Sequence, residues 1–257
     1  MNPRALGFLQ CPSCRGALSL SARTVDASGE VLDGSLTCAG CGRSFRIRDG
    51  LPDFVLPECL GTTNRFSRAL YNAYAPLYDR LEFALAKLSG FTEPELRKAI
   101  ADYLELRPGH LVLEVCVGTG GNLPYIRART GAPIVGLDLS EEMLRECARK
   151  VRRLGLKDAH LFLGCAERLP FRSGVFDRVL IGGGITYFSD PGSALREARR
   201  VVKPGGLVVV FEQLTLLEHL LGRARVPLKL IPEGLRPTGL RWLFNRRFYL
   251  LKLLAKP

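Results

Sequence analysis

The feature that most restricts what this chain folds into is a buried-type strand that runs straight into glycines. Leu111–Val117 is apolar but for Glu114, and Gly118-Thr119-Gly120-Gly121 follows at once. Glycines there let the backbone turn sharply and come close to whatever sits above the strand. Downstream the alternation continues. Pro133–Leu139 reads as a strand, and Ser140 as the cap of a helix over Glu141–Leu154 with an acidic first turn. Leu123–Arg129 and Pro191–Val202 read as further helices, the second stopped by Lys203-Pro204-Gly205-Gly206. Ala159–Cys165, Val175–Ile181 and Leu207–Glu212 read as strands. Strands alternating with helices predict an α/β fold, a doubly wound Rossmann-like sheet that is mostly parallel.

Upstream, residues 71–106 read as two helical segments broken at 89–90, with Thr92 capping the second. Residues 58–70 read as a linker between a small module at 1–57 and a main domain at 71–257. Beyond residue 212 periodicity does not separate helix from strand. Residues 215–222 and 240–245 suggest helices, and 248–255 suggests either. The chain has 257 residues, 47% of them hydrophobic, enough for one sizeable core and an appendage. No apolar stretch is long enough to span a bilayer. The first 14 residues lack the apolar run of a secretory signal, so the cytoplasm is the expected compartment.

In sheets of this kind ligands lie beyond the C-terminal strand ends, where strand order reverses. Asp138 closes the second strand, placed to accept hydrogen bonds from two ribose hydroxyls. A dinucleotide-binding domain also fits these residues. Its fingerprint, Gly118-x-Gly120-x-x-Gly, meets Leu123 instead of the last glycine, and Glu114 is out of place in it.

LVLEVCVGTGGNLPYI, IVGLDLSEEMLREC, GCAERLPFRSGVFDRVLIGGGITYFSDP and ALREARRVVKPGGLVVVFE resemble four successive motifs of class I S-adenosylmethionine (SAM)-dependent methyltransferases. YNAYAPLYDRLE resembles the helix preceding the fold in the branch that methylates quinones and small molecules. The likeness covers residues 71–212. It implies SAM as cofactor, with Glu114 on the methionine ammonium and Asp138 on the ribose. It implies Gly118 and Gly120 under the methionyl and ribose groups, Leu139 against the adenine, the Ala166 N–H on the ring, and Gly182 and Gly183 along the methionine end. The chain departs from the pattern twice. Cys116 replaces the first loop glycine, which suits a residue of negative φ. Cys165 replaces the Asp that accepts from the adenine amino group, so either Glu167 substitutes for it or that contact is lost.

Methyl transfer needs positioning and desolvation more than acid–base chemistry. Tyr74 and Tyr78, four apart on the leading helix, and Tyr187 after the fourth strand are the candidates near the reacting groups. Ordinary helix packing accounts equally well for the first two. His110, His160 and His219 are poorly placed to act as bases.

Cys11/Cys14 and Cys38/Cys41 form two C-x-x-C knuckles, a spacing that suits a tetrahedral zinc site. CPSCRGAL and LTCAGCGRSFRIRDGLPDF resemble a short zinc-ribbon family whose members act alone or as activating partners of tRNA and protein methyltransferases. A closed four-thiolate site leaves no open position, so the metal is expected to be structural.

The net charge is +12, and residues 213–257 hold nine basic and two acidic side chains. That excess suits RNA phosphates, an anionic membrane surface or a solvated face equally. Three functional readings follow. The first is SAM-dependent methylation of a small or lipophilic acceptor such as a quinone precursor. The second is RNA methylation, guided by the ribbon and the basic tail. The third is a non-catalytic SAM-binding or regulatory partner protein.

Overall fold

A computed structural model of the chain describes residues 1–88, 90–214 and 226–257. The helix expected at 215–222, and His219 with it, lies outside the described residues.

The N-terminal module forms a four-stranded antiparallel sheet, β1 (Leu18–Val25), β2 (Val31–Cys38), β3 (Ser44–Arg48) and β4 (Leu51–Pro52). Residues 58–70, expected to link, instead finish a 3-10 turn and begin α1 (Thr62–Leu88). The helix runs for 27 residues even with Pro76 inside it, although a proline there donates no backbone hydrogen bond. α2 (Glu93–Tyr103) starts at Thr92, whose hydroxyl accepts from the Glu95 N–H while Glu95 accepts from the Thr92 N–H. This is the reciprocal cap that the residue pattern predicts.

The second sheet follows: β5 (Val112–Val115), α3 (Leu123–Arg127), β6 (Ile134–Asp138), α4 (Glu141–Arg153), β7 (Ala159–Leu163), β8 (Phe176–Gly182), α5 (Pro191–Val201), β9 (Val202–Gln213), β10 (Leu235–Leu243) and β11 (Phe248–Ala255). Its order is β10-β11-β9-β8-β5-β6-β7. β5 to β9 run parallel, and β10 and β11 return antiparallel beside β9. Strand order reverses at β5, flanked by β6 and β8, so the turns after β5 and β8 face each other across the switch point.

Two expectations change here. Residues 240–245 belong to a strand and the reverse turn after it, not a helix, because β11 offers a full ladder from Leu235↔Ala255 to Leu243↔Phe248. The Lys203-Pro204-Gly205-Gly206 stretch does not separate α5 from its strand; it lies within β9, which is out of regular register with β8 between Phe176 and Arg178.

The ribbon is welded to the free edge of the large sheet. The Phe54 N–H donates to the Leu163 carbonyl at 2.8 Å, and Gln10 N–H to Pro170 at 2.9 Å. Phe8, Leu9, Phe45 and Phe54 join Phe162, Phe171 and Phe176 in one buried cluster. Phe54 and Phe162 are 6.2 Å apart, ring to ring, and Phe8 and Phe171 6.3 Å. The edge strand β7 is thereby covered rather than left open for pairing.

Candidate functional site

The cavity above the switch point has a volume of about 420 Å³, a size suited to a small ligand. Its floor is the pair of glycine turns. Gly118, Gly183 and Gly184 all have positive φ, of 54°, 94° and 91°. A Cβ at Gly182 would lie 2.8 Å from Glu114 Oε1, so that approach tolerates no side chain.

Glu114 is buried beneath the floor. Its Oε1 accepts from Asn122 Nδ2 at 2.6 Å, and its Oε2 has no partner among the described residues. Burial pushes this carboxyl up to about 7, against the Asn122 hydrogen bond and the charge of Arg97. A buried carboxylate oxygen without a donor calls for a cation or a donor from a ligand. Asp138 accepts the Gly118 N–H at 2.8 Å and the Ser140 N–H at 2.9 Å, and burial raises its carboxyl too. It holds the turn and the α4 cap together while facing the cavity.

α1 roofs the cavity and is pinned at three places. Asn64 donates to Glu167 at 3.0 Å and accepts the Ser189 N–H at 3.0 Å. Asn72 accepts from Ser140 Oγ at 2.6 Å. Asp79 accepts from Thr119 Oγ1 at 2.6 Å and pairs with Lys150 at 2.7 Å. Between these anchors Tyr71, Tyr74 and Tyr78 line the cavity, with ring centroids 5.2 and 5.7 Å apart, and Tyr187 meets Tyr71 at 6.3 Å. Burial pushes the phenols of Tyr71, Tyr74 and Tyr78 upward, so they stay protonated at neutral pH.

Of the residues singled out from sequence, Cys116, Gly118, Asp138, Leu139, Gly182, Gly183, Tyr74, Tyr78 and Tyr187 meet in the cavity wall. Glu114 lies just under it. Gly120 does something else: a Cβ there would lie 2.6 Å from Cys147 Sγ, so it lets α4 pack against the turn. Cys165, Ala166 and Glu167 are absent from the lining. Cys165 is buried with its thiol against Cys59, and Glu167 is committed to Asn64 and Ser189. Cys116 does not keep negative φ; its φ is +59°. The turn after β5 demands the left-handed region whichever residue fills it, at a cost of about 1 kcal/mol for a side chain.

Two lining residues escape a sequence reading. Arg97, on α2, reaches the cavity beside Glu114 and bonds Asn122 at 3.4 Å. Its helix pattern carries no hint of this. Glu212, next to the last residue of β9, accepts the N–H groups of Thr186 at 3.2 Å and Gly184 at 3.3 Å, and burial raises its carboxyl. An acid closing a buried strand, as Asp138 closes β6, was the available signal.

The four ribbon cysteines also converge. Their sulfurs lie within 4.8 Å of one another, with Cys11–Cys41 at 3.8 Å and Cys14–Cys38 at 3.3 Å. Tetrahedral thiolates about 2.3 Å from one zinc ion stand about 3.8 Å apart, so the set fits that ion. The Gly40 N–H points at Cys38 Sγ from 3.3 Å, as a thiolate favours.

The model of the ubiE/COQ5 methyltransferase family matches residues 69–224, more than half of the chain. The chain belongs to this family. Residues 2–50 match the model of Trm112p-like proteins. Demethylmenaquinone methyltransferase of Bacillus cereus (strain AH187) is 34% identical over 145 residues, covering 56% of this chain and 61% of that protein. The match thus spans about three fifths of the length of that curated relative. Among solved structures, a chain from the complex of the Haloferax volcanii Trm112 methyltransferase activator with a protein described as a methyltransferase superposes with a TM-score of 0.60 at 17% identity, covering 74% of this chain and 97% of that one. The [4+2]-cyclase SpnF also gives 0.60, at 18% identity, with 77% and 97% covered. These likenesses show the fold; activity has to be argued from the site. No described helix is long and apolar enough to cross a membrane.

Proposed function

We propose that this chain binds SAM and transfers its methyl group to a small, lipophilic, planar acceptor of the quinone-precursor class. The observation that carries the reading is the buried Oε2 of Glu114 beneath the glycine floor, which has no partner among the described residues. It suits the methionyl ammonium, and Asp138 in the same cavity suits the ribose hydroxyls. Arg97, beside Glu114, is placed for the methionyl carboxylate. Bound SAM would supply a methyl carbon on a sulfonium: the acceptor bonds to that carbon in line with the breaking C–S bond, whose pair stays on sulfur as S-adenosylhomocysteine leaves. The chain's part is to orient, and to exclude water. Tyr71, Tyr74, Tyr78 and Tyr187 form an aromatic wall for a flat acceptor, and their phenols serve as hydrogen-bond donors rather than bases. The name of the Bacillus relative, a demethylmenaquinone methyltransferase, supports the same acceptor class.

Zinc in the four-cysteine site is structural on this reading, since Cys11, Cys14, Cys38 and Cys41 close its tetrahedron. Purified protein is expected to carry about one equivalent of zinc; less than half would count against it.

RNA methylation is the second reading, favoured by the Trm112p-like module and the exposed Arg236 and Arg241 on β10. Labelled methyl transfer from SAM to a lipid extract, run against total RNA, separates the two. Calorimetry with SAM tests the shared premise, and no heat at high micromolar ligand would sink both.

A further inference from the structure

α1 presents an apolar face that no described part of the chain covers. Phe66, Leu70, Leu77, Leu81, Leu85 and Leu88 are between 47% and 85% exposed. At 3.6 residues per turn they fall within an arc of about 100°. From Phe66 to Leu88 the stripe is about 33 Å long. Its two flanks differ. On one side the same helix turns Tyr71 and Tyr78 into the cavity, and Tyr74 and Leu85, at that margin of the stripe, belong to the cavity wall as well. On the other side stand Arg65, Arg80 and Lys87, all exposed. The two acids of the helix point elsewhere: Asp79 is held by Thr119 and Lys150, and Glu82 lines the cavity.

We infer that this face lies flat on an anionic lipid bilayer, with the leucines in the acyl boundary and the flanking cations among the headgroups. A helix with one apolar face and one cationic flank has the charge pattern of an interfacial helix. The protein's charge of +12 complements an anionic surface and opposes pairing with a second copy through the same stripe. The orientation sets the aromatic wall of the cavity at the lipid boundary, where a lipophilic molecule enters without crossing water. The docking does not depend on methyl transfer, and its test needs no SAM.

The test is flotation of the full chain with phosphatidylcholine vesicles, with and without about 30% phosphatidylglycerol. The protein is expected to float with the anionic vesicles and far less with the neutral ones. The double substitution Leu77→Glu and Leu81→Glu, outside the cavity wall, is expected to lower the partition at least about tenfold. Arg65→Gln with Arg80→Gln and Lys87→Gln is expected to lower it about a hundredfold at low salt, at about one kcal/mol per cation. Thermal unfolding of both variants is expected to match the unsubstituted chain, because every changed side chain is exposed. Failure of the unsubstituted chain to float, or equal flotation of all three proteins, overturns the inference. A dimer in sedimentation that the Leu77/Leu81 variant splits, without vesicle binding, assigns the stripe to contact between copies instead.

Discussion

The seam between ribbon and sheet and the seat of α1 across the strand ends are built from opposite materials. The seam is apolar and aromatic, with Phe8, Phe45 and Phe54 packed into Phe162 and Phe171 and backbone hydrogen bonds running across it. The α1 seat is polar and intermittent: Asn64, Asn72 and Asp79 anchor the helix about two turns apart, with a cavity between them. The difference teaches what each part is for. Close packing makes the ribbon half of a shared core, whose loss exposes the other half. Spaced polar anchors hold a roof in place and leave room for a ligand beneath it.

Removing the metal strains the comparison hardest. If Cys11, Cys14, Cys38 and Cys41 hold zinc, chelation or Cys38→Ser releases several kcal/mol of folding energy from the ribbon. Because the core is shared, the melting temperature of the whole chain is expected to fall by about 10 °C or more. An unchanged main transition would mean that the two parts fold independently. Next in size, Phe54→Ala is expected to cost about 3–5 kcal/mol by denaturant unfolding, as a fully buried aromatic does. Its counterpart on the polar side, Asn72→Ala, is expected to cost about 1 kcal/mol. Equal losses would erase the contrast.

Glu114→Gln is expected to lower SAM affinity between about tenfold and a hundredfold by calorimetry, with little loss of stability. The pH dependence has a definite sign. Glu114 holds its proton more tightly folded than unfolded, from 4.5 up to about 7. Its contribution to the free protein's stability is therefore present below the lower value and lost as pH rises through about 7. A bound cation favours the ionised form, so SAM affinity is expected to rise with pH across that window, and Glu114→Gln to flatten the rise. The smallest effect is Cys116→Gly, expected to raise the melting temperature by about 2–4 °C through relief of the positive φ.

Local signals carried most of the fold. Ser140 and Thr92 cap their helices as read, because a cap depends on residues three apart. Apolar runs bounded by glycines located β5, β6 and β8. β10 was not legible as a strand: Leu240 and Arg241 are exposed on it, and only the ladder with Leu250 and Leu251 defines it. The antiparallel β10–β11 hairpin is set by the same ladder. In the site, Asp138 and Gly118 were legible because strand ends and glycines announce themselves. Arg97 and the spending of Glu167 on Asn64 were not, since partners 25 and 103 residues away set them.

By itself the sequence determined the strand–helix alternation, the four thiols and the glycine turn, for these depend on spacing along the chain. Only the tertiary structure decided the rest. It placed α1 as a roof, joined the ribbon to β7, forced Cys116 into the left-handed region and left Glu114 Oε2 without a partner among the described residues. Each of those follows from which surfaces meet when the apolar faces are buried together, and spacing along one strand or helix carries no record of its neighbours.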